Sequence, residues 1–136
     1  MSNATAPSPL PYAPISIGEL VDKITILEIK AQRVRDPHKR DAVSRELTLL
    51  NEIDCAMGER GLTIKVLKDE LRQVNEALWD IEDRIRDCER EQSFGEEFIA
   101  LARAVYKTND RRAELKRRIN EISGSPLMEV KSHAVY

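Results

Sequence analysis

The sequence has few of the residues that build disulfide-bonded, metal-binding or aromatic-rich folds. Of its 136 residues, two are cysteines, two are histidines and 4% are aromatic. Cys55 and Cys88 form no CxxC pair, and neither His38 nor His133 has a cysteine or carboxylate partner at metal-ligand spacing. These absences count against a zinc site, a histidine-based catalytic triad and an aromatic-filled β-sandwich. We expect no metal, no cofactor and no catalytic residue, and two reduced, structural cysteines.

Long apolar runs and an excess of basic charge are also missing. No run reaches the roughly 18 apolar residues that a membrane span needs, and the N-terminus lacks the basic start and apolar core of a signal peptide. The 22 basic and 24 acidic side chains give a net charge of -2, whereas nucleic-acid binding requires a basic excess. We therefore expect a cytoplasmic protein with no membrane span that does not bind nucleic acid.

Proline is concentrated at the N-terminus, and this divides the chain. Residues 1–14 hold four of the six prolines, which predicts an arm without regular structure, either disordered or lying as a strap over the bundle. Residues 15–125 contain only Pro37, as long helices require, and residues 126–136 form a tail. A chain of this length has room for one domain.

Apolar side chains at helical spacing predict two helices in the first half of the domain. Ser16 and Glu19 have the capping-box form that begins a helix. Asp36 followed by Pro37 ends this helix and begins a second one, because proline is favourable at the first helical position. We expect the second helix to run to about Met57 and to turn one apolar face toward the core: Val43, Leu47, Leu50, Ile53 and Met57.

Two longer helices follow Gly61. The third holds an unbroken heptad pattern from Ile64 to Cys88. Ser93 and Glu96 form a second capping box, so the fourth helix starts almost where the third ends, and the two must form an antiparallel hairpin. The predicted fold class is all-α: an antiparallel bundle of four helices, the first two broken at Pro37 and the last two a long coiled-coil-like hairpin.

The apolar seam of the fourth helix is interrupted by Thr108 and Arg112. Buried polar groups need partners, so either the two helices splay there or a paired network forms from Trp79, Asp83, Asn109, Asp110 and Arg112. The tight turn between the helices predicts that Asn109 and Asp110 lie near Trp79 of the third helix. The candidate binding residues on the two helices are Trp79, Asp83, Arg86, Arg103, Tyr106, Asn109, Asp110 and Arg112.

Two enzyme classes fit the sequence poorly. Glu19 and Asp22 have the spacing with which helical pyrophosphohydrolases bind Mg²⁺, but the rest of that pattern is missing and Glu19 is already explained as a capping residue. Helical chorismate mutases line the bundle interior with several arginines and lysines, and here Arg112 is the only basic residue on a seam. We therefore favour a protein that is not an enzyme and leave the question open.

The segment Ile15–Lys30 resembles the opening of a bacterial family of proteins, the domain-of-unknown-function family 6165. The similarity extends over about residues 15 to 133, excluding the proline-rich arm and the variable centre of the second helix. It continues through Val74-Asn75, Leu78-Trp79, Ile81-Glu82-Asp83, Ile85-Arg86, Asn109-Asp110, Arg112-Ala113 and Lys131-Ser132. The resemblance implies a stand-alone or appended helical module in bacteria, associated with surface-polysaccharide and glycosyltransferase proteins. It implies no activity and assigns no site residues.

Two functions remain open. The first is a non-enzymatic protein-interaction or self-assembling domain that presents Trp79 to a protein partner or to a second copy in a homodimer. The alternative is a domain that binds or processes a small molecule or sugar nucleotide, linked to surface-polysaccharide metabolism, with Asp83, Arg86, Arg103, Asn109 and Asp110 in the site. A concave pocket of several hundred Å³ would favour the ligand, and a flat or protruding Trp79 face would favour the partner.

Overall fold

A computed structural model of the chain describes residues 8–59 and 61–135, and this part contains four α-helices and no β-strand. The helices are α1 (Ile17–Arg33), α2 (Pro37–Ala56), α3 (Leu62–Glu91) and α4 (Glu96–Ser123). The predicted all-α bundle of four helices is therefore confirmed.

The predicted starts of α1 and α2 are confirmed. The Ser16 side chain accepts a hydrogen bond from the backbone N–H of Glu19 at 3.0 Å. The Asp36 carboxylate accepts one from the backbone N–H of His38 at 2.9 Å, with Pro37 as the first helical residue. Both side chains satisfy N–H groups that have no partner inside the helix. The chain therefore turns at residues 34–36, and α1 and α2 pack against each other as a hairpin.

The second capping box, at Ser93 and Glu96, is wrong. α4 begins at Glu96 after Gly95, and no side chain caps its first turn. Ser93 instead belongs to the end of α3, where its backbone N–H donates to the carbonyl of Cys88 at 2.9 Å across the left-handed residue Gln92. This is the closing bond of a Schellman-type helix end. The α3–α4 hairpin forms as expected, although the turn is built differently.

The apolar core lies between α1, α3 and α4. α1 contacts all three other helices, and nine of its 17 residues are buried. The buried apolar cluster consists of Ile17, Val21, Ile64, Leu67, Leu71, Leu115 and Ile119. The apolar stripe of α1 is wide because it is covered on more than one side.

α2 lies outside this core, which corrects the predicted inward-facing set. None of its residues is buried: Val43, Leu47 and Leu50 are half-buried, while Ile53 and Met57 are 46% and 54% exposed. The reason is that α2 packs on α1 and contacts neither α3 nor α4 within the described part of the chain. Its apolar stripe is therefore covered on one side only.

The described ends of the chain differ from each other. In the N-terminal arm Tyr12 is 90% exposed and Leu10 is also exposed, so residues 8–15 are not held down as a strap. Residues 1–7 of the predicted arm lie outside the described residues. The C-terminal tail lies against α4, where Glu129 pairs with Lys116 and Lys131 pairs with Asp110.

None of the helices that the structure describes has the length and apolarity to cross a membrane.

Candidate functional site

A buried polar network joins three helices at the centre of the molecule. Asp22 of α1 is fully buried, and Arg112 of α4 binds it through two nitrogens, with Nε 2.9 Å from Oδ1 and Nη2 on Oδ2. Asn75 of α3 donates to the same Asp22 Oδ1 at 2.9 Å and to the Thr25 hydroxyl at 2.9 Å. A paired network was expected around Arg112, but its partner is Asp22 of α1 and not the neighbouring residues of the hairpin.

The contact with Asp22 favours the charged form of Arg112. The hydrogen bond with Asp22 raises the pKa of Arg112, and this outweighs the opposite effect of burial. A buried carboxylate without its cation is costly, so the pair stabilises the packing of α1 on α4. The Arg112 side chain is still 29% exposed, and Nη1 has no protein acceptor among residues 8–59 and 61–135. One edge of the guanidinium therefore binds Asp22, and another can bind a ligand.

A second buried cation lies one turn further along α4. Lys116 contacts Glu19 of α1 at 2.7 Å and Glu129 of the tail at 3.2 Å. Burial lowers the pKa of Lys116, but the hydrogen bonds to the two carboxylates outweigh it, so the pKa is raised overall. Glu19 and Asp22, which have the spacing of a magnesium motif, are thus each paired with a cation of α4. The described residues contain no group of three or more potential metal ligands.

Gly18 explains how α1 and α4 come so close. Its backbone N–H donates to the Asn120 side-chain oxygen at 2.6 Å. A Cβ atom at this position would lie 2.5 Å from the backbone oxygen of Lys116 and 2.8 Å from the Asn120 oxygen. Any larger residue would push the two helices apart. Sequence reasoning missed this contact, because a glycine inside a helical pattern gives no indication of which helix approaches it.

A groove of about 470 Å³ opens next to Arg112, between α1, α3 and α4. Its lining is mixed, with an apolar wall and several polar groups. The lining residues are Ile26, Ile29, Asn75, Leu78, Trp79, Glu82, Asp83, Arg86, Asn109 and Arg112. The groove is concave. On one side it is lined by Asn75 and Arg112, and the positions of both side chains are set by their hydrogen bonds to Asp22.

Five of the eight predicted site residues line this groove: Trp79, Asp83, Arg86, Asn109 and Arg112. Tyr106 and Asp110 line a different cleft, formed with the C-terminal tail, where Asp110 pairs with Lys131. Asp110 therefore does not lie beside Trp79 as predicted, because one residue along a helix turns the side chain by about 100°. Arg103 is exposed on α4 and lines none of the described clefts.

Trp79 does not protrude from the surface. It is half-buried in the wall of the groove, and the guanidinium carbon of Arg33 lies 5.8 Å from the centre of its ring. Arg33 is fixed there by a 2.6 Å ion pair with Asp80, which raises its pKa. Arginine and tryptophan attract each other in this arrangement. The end of α1 thus covers part of the Trp79 ring, and the rest of it lies in the groove.

A smaller cleft of about 280 Å³ adjoins the groove, and the two share Asn109 and Arg112. The C-terminal tail forms its other wall, and its lining includes three further groups that are or can be cationic: Lys116, Lys131 and His133. Sequence reasoning had left the tail out of the site. Two signals could have suggested it: the basic residues within the tail and the extension of the family resemblance to Lys131-Ser132.

A comparison with models of known protein families identifies the family of this chain. Residues 12–135 match a family described as Family of unknown function (DUF6165). The chain belongs to this family. Searches of the curated proteins and of the solved structures found no significant match. The resemblance noted in the sequence is thus confirmed for the family itself.

The DUF6165 match includes every element of the site. It begins before α1 and ends in the tail, so it contains the Asp22 network, the groove and the adjoining cleft. The part of the arm before residue 12 lies outside it.

Proposed function

We propose that the groove beside Arg112 binds a small anionic molecule that also carries a flat or apolar part. The observation that carries this proposal is the concave shape of the groove, about 470 Å³ in volume, with Trp79, Asn109 and Arg112 on its lining. Small-molecule sites are typically cavities of this size with an apolar wall and a few converging polar groups.

The two sides of the groove suit two parts of one ligand. Trp79, with Ile26 and Leu78, offers a flat apolar wall on which a ring can stack. Arg112 has a guanidinium edge left over from its pairing with Asp22, and Arg86, which lies 3.9 Å from Glu82, supplies a second, exposed cation. Guanidinium groups match the geometry of phosphate and carboxylate. A phosphate would therefore bind at the Arg112 end.

Glu82 and Asp83 narrow the class of ligand further. Both line the groove on the α3 side, and ionised carboxylates accept hydrogen bonds only. They would accept bonds from the hydroxyl groups of a sugar. An anion, a ring and hydroxyl groups together describe a sugar phosphate or a sugar nucleotide. This is the ligand class of the alternative raised from the sequence.

The protein-interaction function that presents Trp79 has less support. Hot-spot tryptophans fill pockets on a partner, which requires that the ring stand out from the surface. Here the guanidinium carbon of Arg33 lies 5.8 Å from the centre of the ring, and the ring forms part of the groove wall. We propose binding without a reaction, and the bacterial and cytoplasmic setting remains an expectation from the sequence.

Trp79 makes the proposal directly testable, because it is the only tryptophan in the chain. Its fluorescence therefore reports on the surroundings of the Trp79 ring, which include the groove. We would titrate the protein with inorganic phosphate, uridine diphosphate and uridine diphosphate glucose, with neutral glucose as a control. The expected result is a saturable change with the sugar nucleotide, a weaker one with phosphate and none with glucose.

Variants distinguish the groove from non-specific anion binding. Asn109→Ala and Arg86→Ala should each weaken binding by about tenfold, because each removes one hydrogen-bonding group. Arg103→Ala is the matched control, since Arg103 is an exposed arginine on α4 that does not line the groove. An equal loss in Arg103→Ala, or no saturable change with any of the anions, would contradict the proposal.

A further inference from the structure

α2 carries an apolar stripe that nothing in the described chain covers. Leu49, Ile53 and Met57 are spaced by four residues, so they lie on one face of the helix, and each is about half exposed. At the start of α3, Leu62 is 76% exposed and Val66 is also exposed. An uncovered apolar stripe such as the one on α2 indicates a contact surface.

The charges of α2 are divided between its two halves. The first half, residues 37–45, contains Lys39, Arg40 and Arg45 with a single acidic residue. Residues 46–59 contain four acidic residues and no lysine or arginine. This order opposes the helix dipole, which favours acidic residues near the N-terminus and basic residues near the C-terminus. An isolated α2 is therefore not stabilised by this charge order, whereas a neighbouring helix with the opposite order would pair with it.

We infer that α2 is the interface of a homodimer in which a second copy of the chain lays its own α2 antiparallel across the first. An antiparallel neighbour places a basic half beside an acidic half at both ends, which satisfies the divided charge. It also places the two helix dipoles in opposite directions. A two-fold symmetric contact achieves this with one surface, because every residue pair occurs twice.

The positions of the charged residues define the arrangement. A two-fold axis close to Leu49 brings Leu49 of the two copies into contact and lays Ile53 and Met57 of each copy against the aliphatic stems of the basic half of the other. Arg45 and Glu52 are seven residues apart and so lie along the same flank of the stripe. In antiparallel packing the same flanks of the two helices meet, which places Arg45 beside Glu52 of the second copy. Within one chain Arg45 pairs with Asp41 at 2.8 Å, an exposed contact that can be shared or exchanged.

The size of the surface determines the strength of the dimer. A 20-residue helix is about 30 Å long, and two such helices in contact bury an area at the lower end of the range for specific interfaces. The dimer should therefore form reversibly and depend on concentration. The groove at Trp79 is lined by α1, α3 and α4, so it stays open in the dimer.

Sedimentation velocity of the full chain over a wide concentration range tests the inference. The mass should rise from 15.5 kDa toward twice that value as the concentration increases. Ile53→Gln should lower the association constant by about tenfold or more, because the apolar contact occurs twice in the dimer. Ile99→Gln is the matched control, since Ile99 of α4 is exposed to a similar extent and lies far from the stripe.

Charge reversal tests the antiparallel arrangement separately. Arg45→Glu and Glu52→Arg should each weaken the dimer, and the double variant should restore it to within about threefold of the original chain. A helical spectrum by circular dichroism confirms that each variant is folded. A chain that stays at 15.5 kDa at the highest concentration would overturn the inference and leave the stripe to another protein. Association that survives Ile53→Gln, or a double variant as weak as the single ones, would overturn it as well.

Discussion

α1 and α2 are neighbouring amphipathic helices of 17 and 20 residues, yet nine residues of α1 are buried and none of α2. Part of the difference lies in the sequences, since seven of the 17 residues of α1 are isoleucine, leucine or valine, against five of the 20 residues of α2. The rest comes from the number of neighbours: α1 contacts three helices, and α2 contacts α1 alone in the described chain. An apolar stripe thus predicts a helix and its contact face, but not which chain supplies the contact.

The polar residues of the two helices differ in the same way. α1 buries Asp22 and Thr25, and both are bound by side chains of other helices. The charged residues of α2 are exposed or half-buried. We expect substitutions among α1, α3 and α4 to change the stability of the fold, and substitutions on the stripe of α2 to change association.

The largest effect is expected at the buried ion pair. Arg112→Ala leaves the Asp22 carboxylate buried without its cation and should lower the free energy of unfolding by about 3–5 kcal/mol. Urea denaturation followed by circular dichroism measures this. The double variant Asp22→Leu with Arg112→Met should recover much of the loss, because it removes both charges. If the double variant is no more stable than Arg112→Ala, the unpaired Asp22 carboxylate is not the cause of the lower free energy of unfolding.

Two leucines compare α3 with α2 directly. Leu71→Ala should cost about 2–5 kcal/mol, since Leu71 is fully buried in the cluster between α1, α3 and α4. Leu49→Ala should cost about 0.5 kcal/mol or less when measured on dilute, monomeric protein, since Leu49 is exposed. Equal losses in the two variants would show that α2 belongs to the core after all.

Gly18 allows the close approach of α1 and α4 to be tested. Gly18→Ala should lower stability by about 1–3 kcal/mol, because the new methyl group meets the backbone of Lys116, and this outweighs the better helix propensity of alanine. Gly95→Ser serves as the control, since nothing lies within 4 Å of a Cβ at that position. Thermal denaturation of both variants measures the difference. A Gly18→Ala protein as stable as Gly95→Ser would contradict the close contact.

The smallest effect concerns pH. The pKa of Lys116 is raised from its ordinary value of 10.5, so its ion pairs contribute stability below that pH and lose it as the pH rises through the raised pKa. The free energy of unfolding should therefore fall more steeply above pH 10.5 for the original chain than for Lys116→Met. If the free energy of unfolding falls equally steeply with pH in the two proteins, the ion pairs of Lys116 do not cause the loss of stability.

The sequence predicted the helices better than it predicted the contacts between them. Ser16 and Asp36 were correct as caps, because a cap depends on residues within one turn. Ser93 was wrong, because its backbone N–H closes α3 instead. Ser93 could cap α4 or close the end of α3. Which of these roles it takes depends on the path of the backbone through the turn, and the sequence pattern does not give that path.

The candidate site was predicted in part for a related reason. Arg112 was expected in a polar network because it interrupts an apolar seam, and this local signal was right. Its partner Asp22 is 90 residues away, and no spacing rule connects the two. Asn109 and Asp110 were both expected near Trp79 because of the tight turn between α3 and α4. Adjacent helical residues point in different directions, and Asn109 lines the groove with Trp79 while Asp110 lines the other cleft.

Amide hydrogen exchange of the full chain at low and high protein concentration tests the contrast between α2 and the rest of the bundle most directly. At low concentration the amides of α2 should exchange much faster than those in the middle of α1, α3 and α4, because α2 has no buried residues to hold it. At high concentration the protection of α2 should rise while that of the other three helices stays the same. An α2 that is as protected as α1 at low concentration would contradict the account, because it would then be held by its own chain.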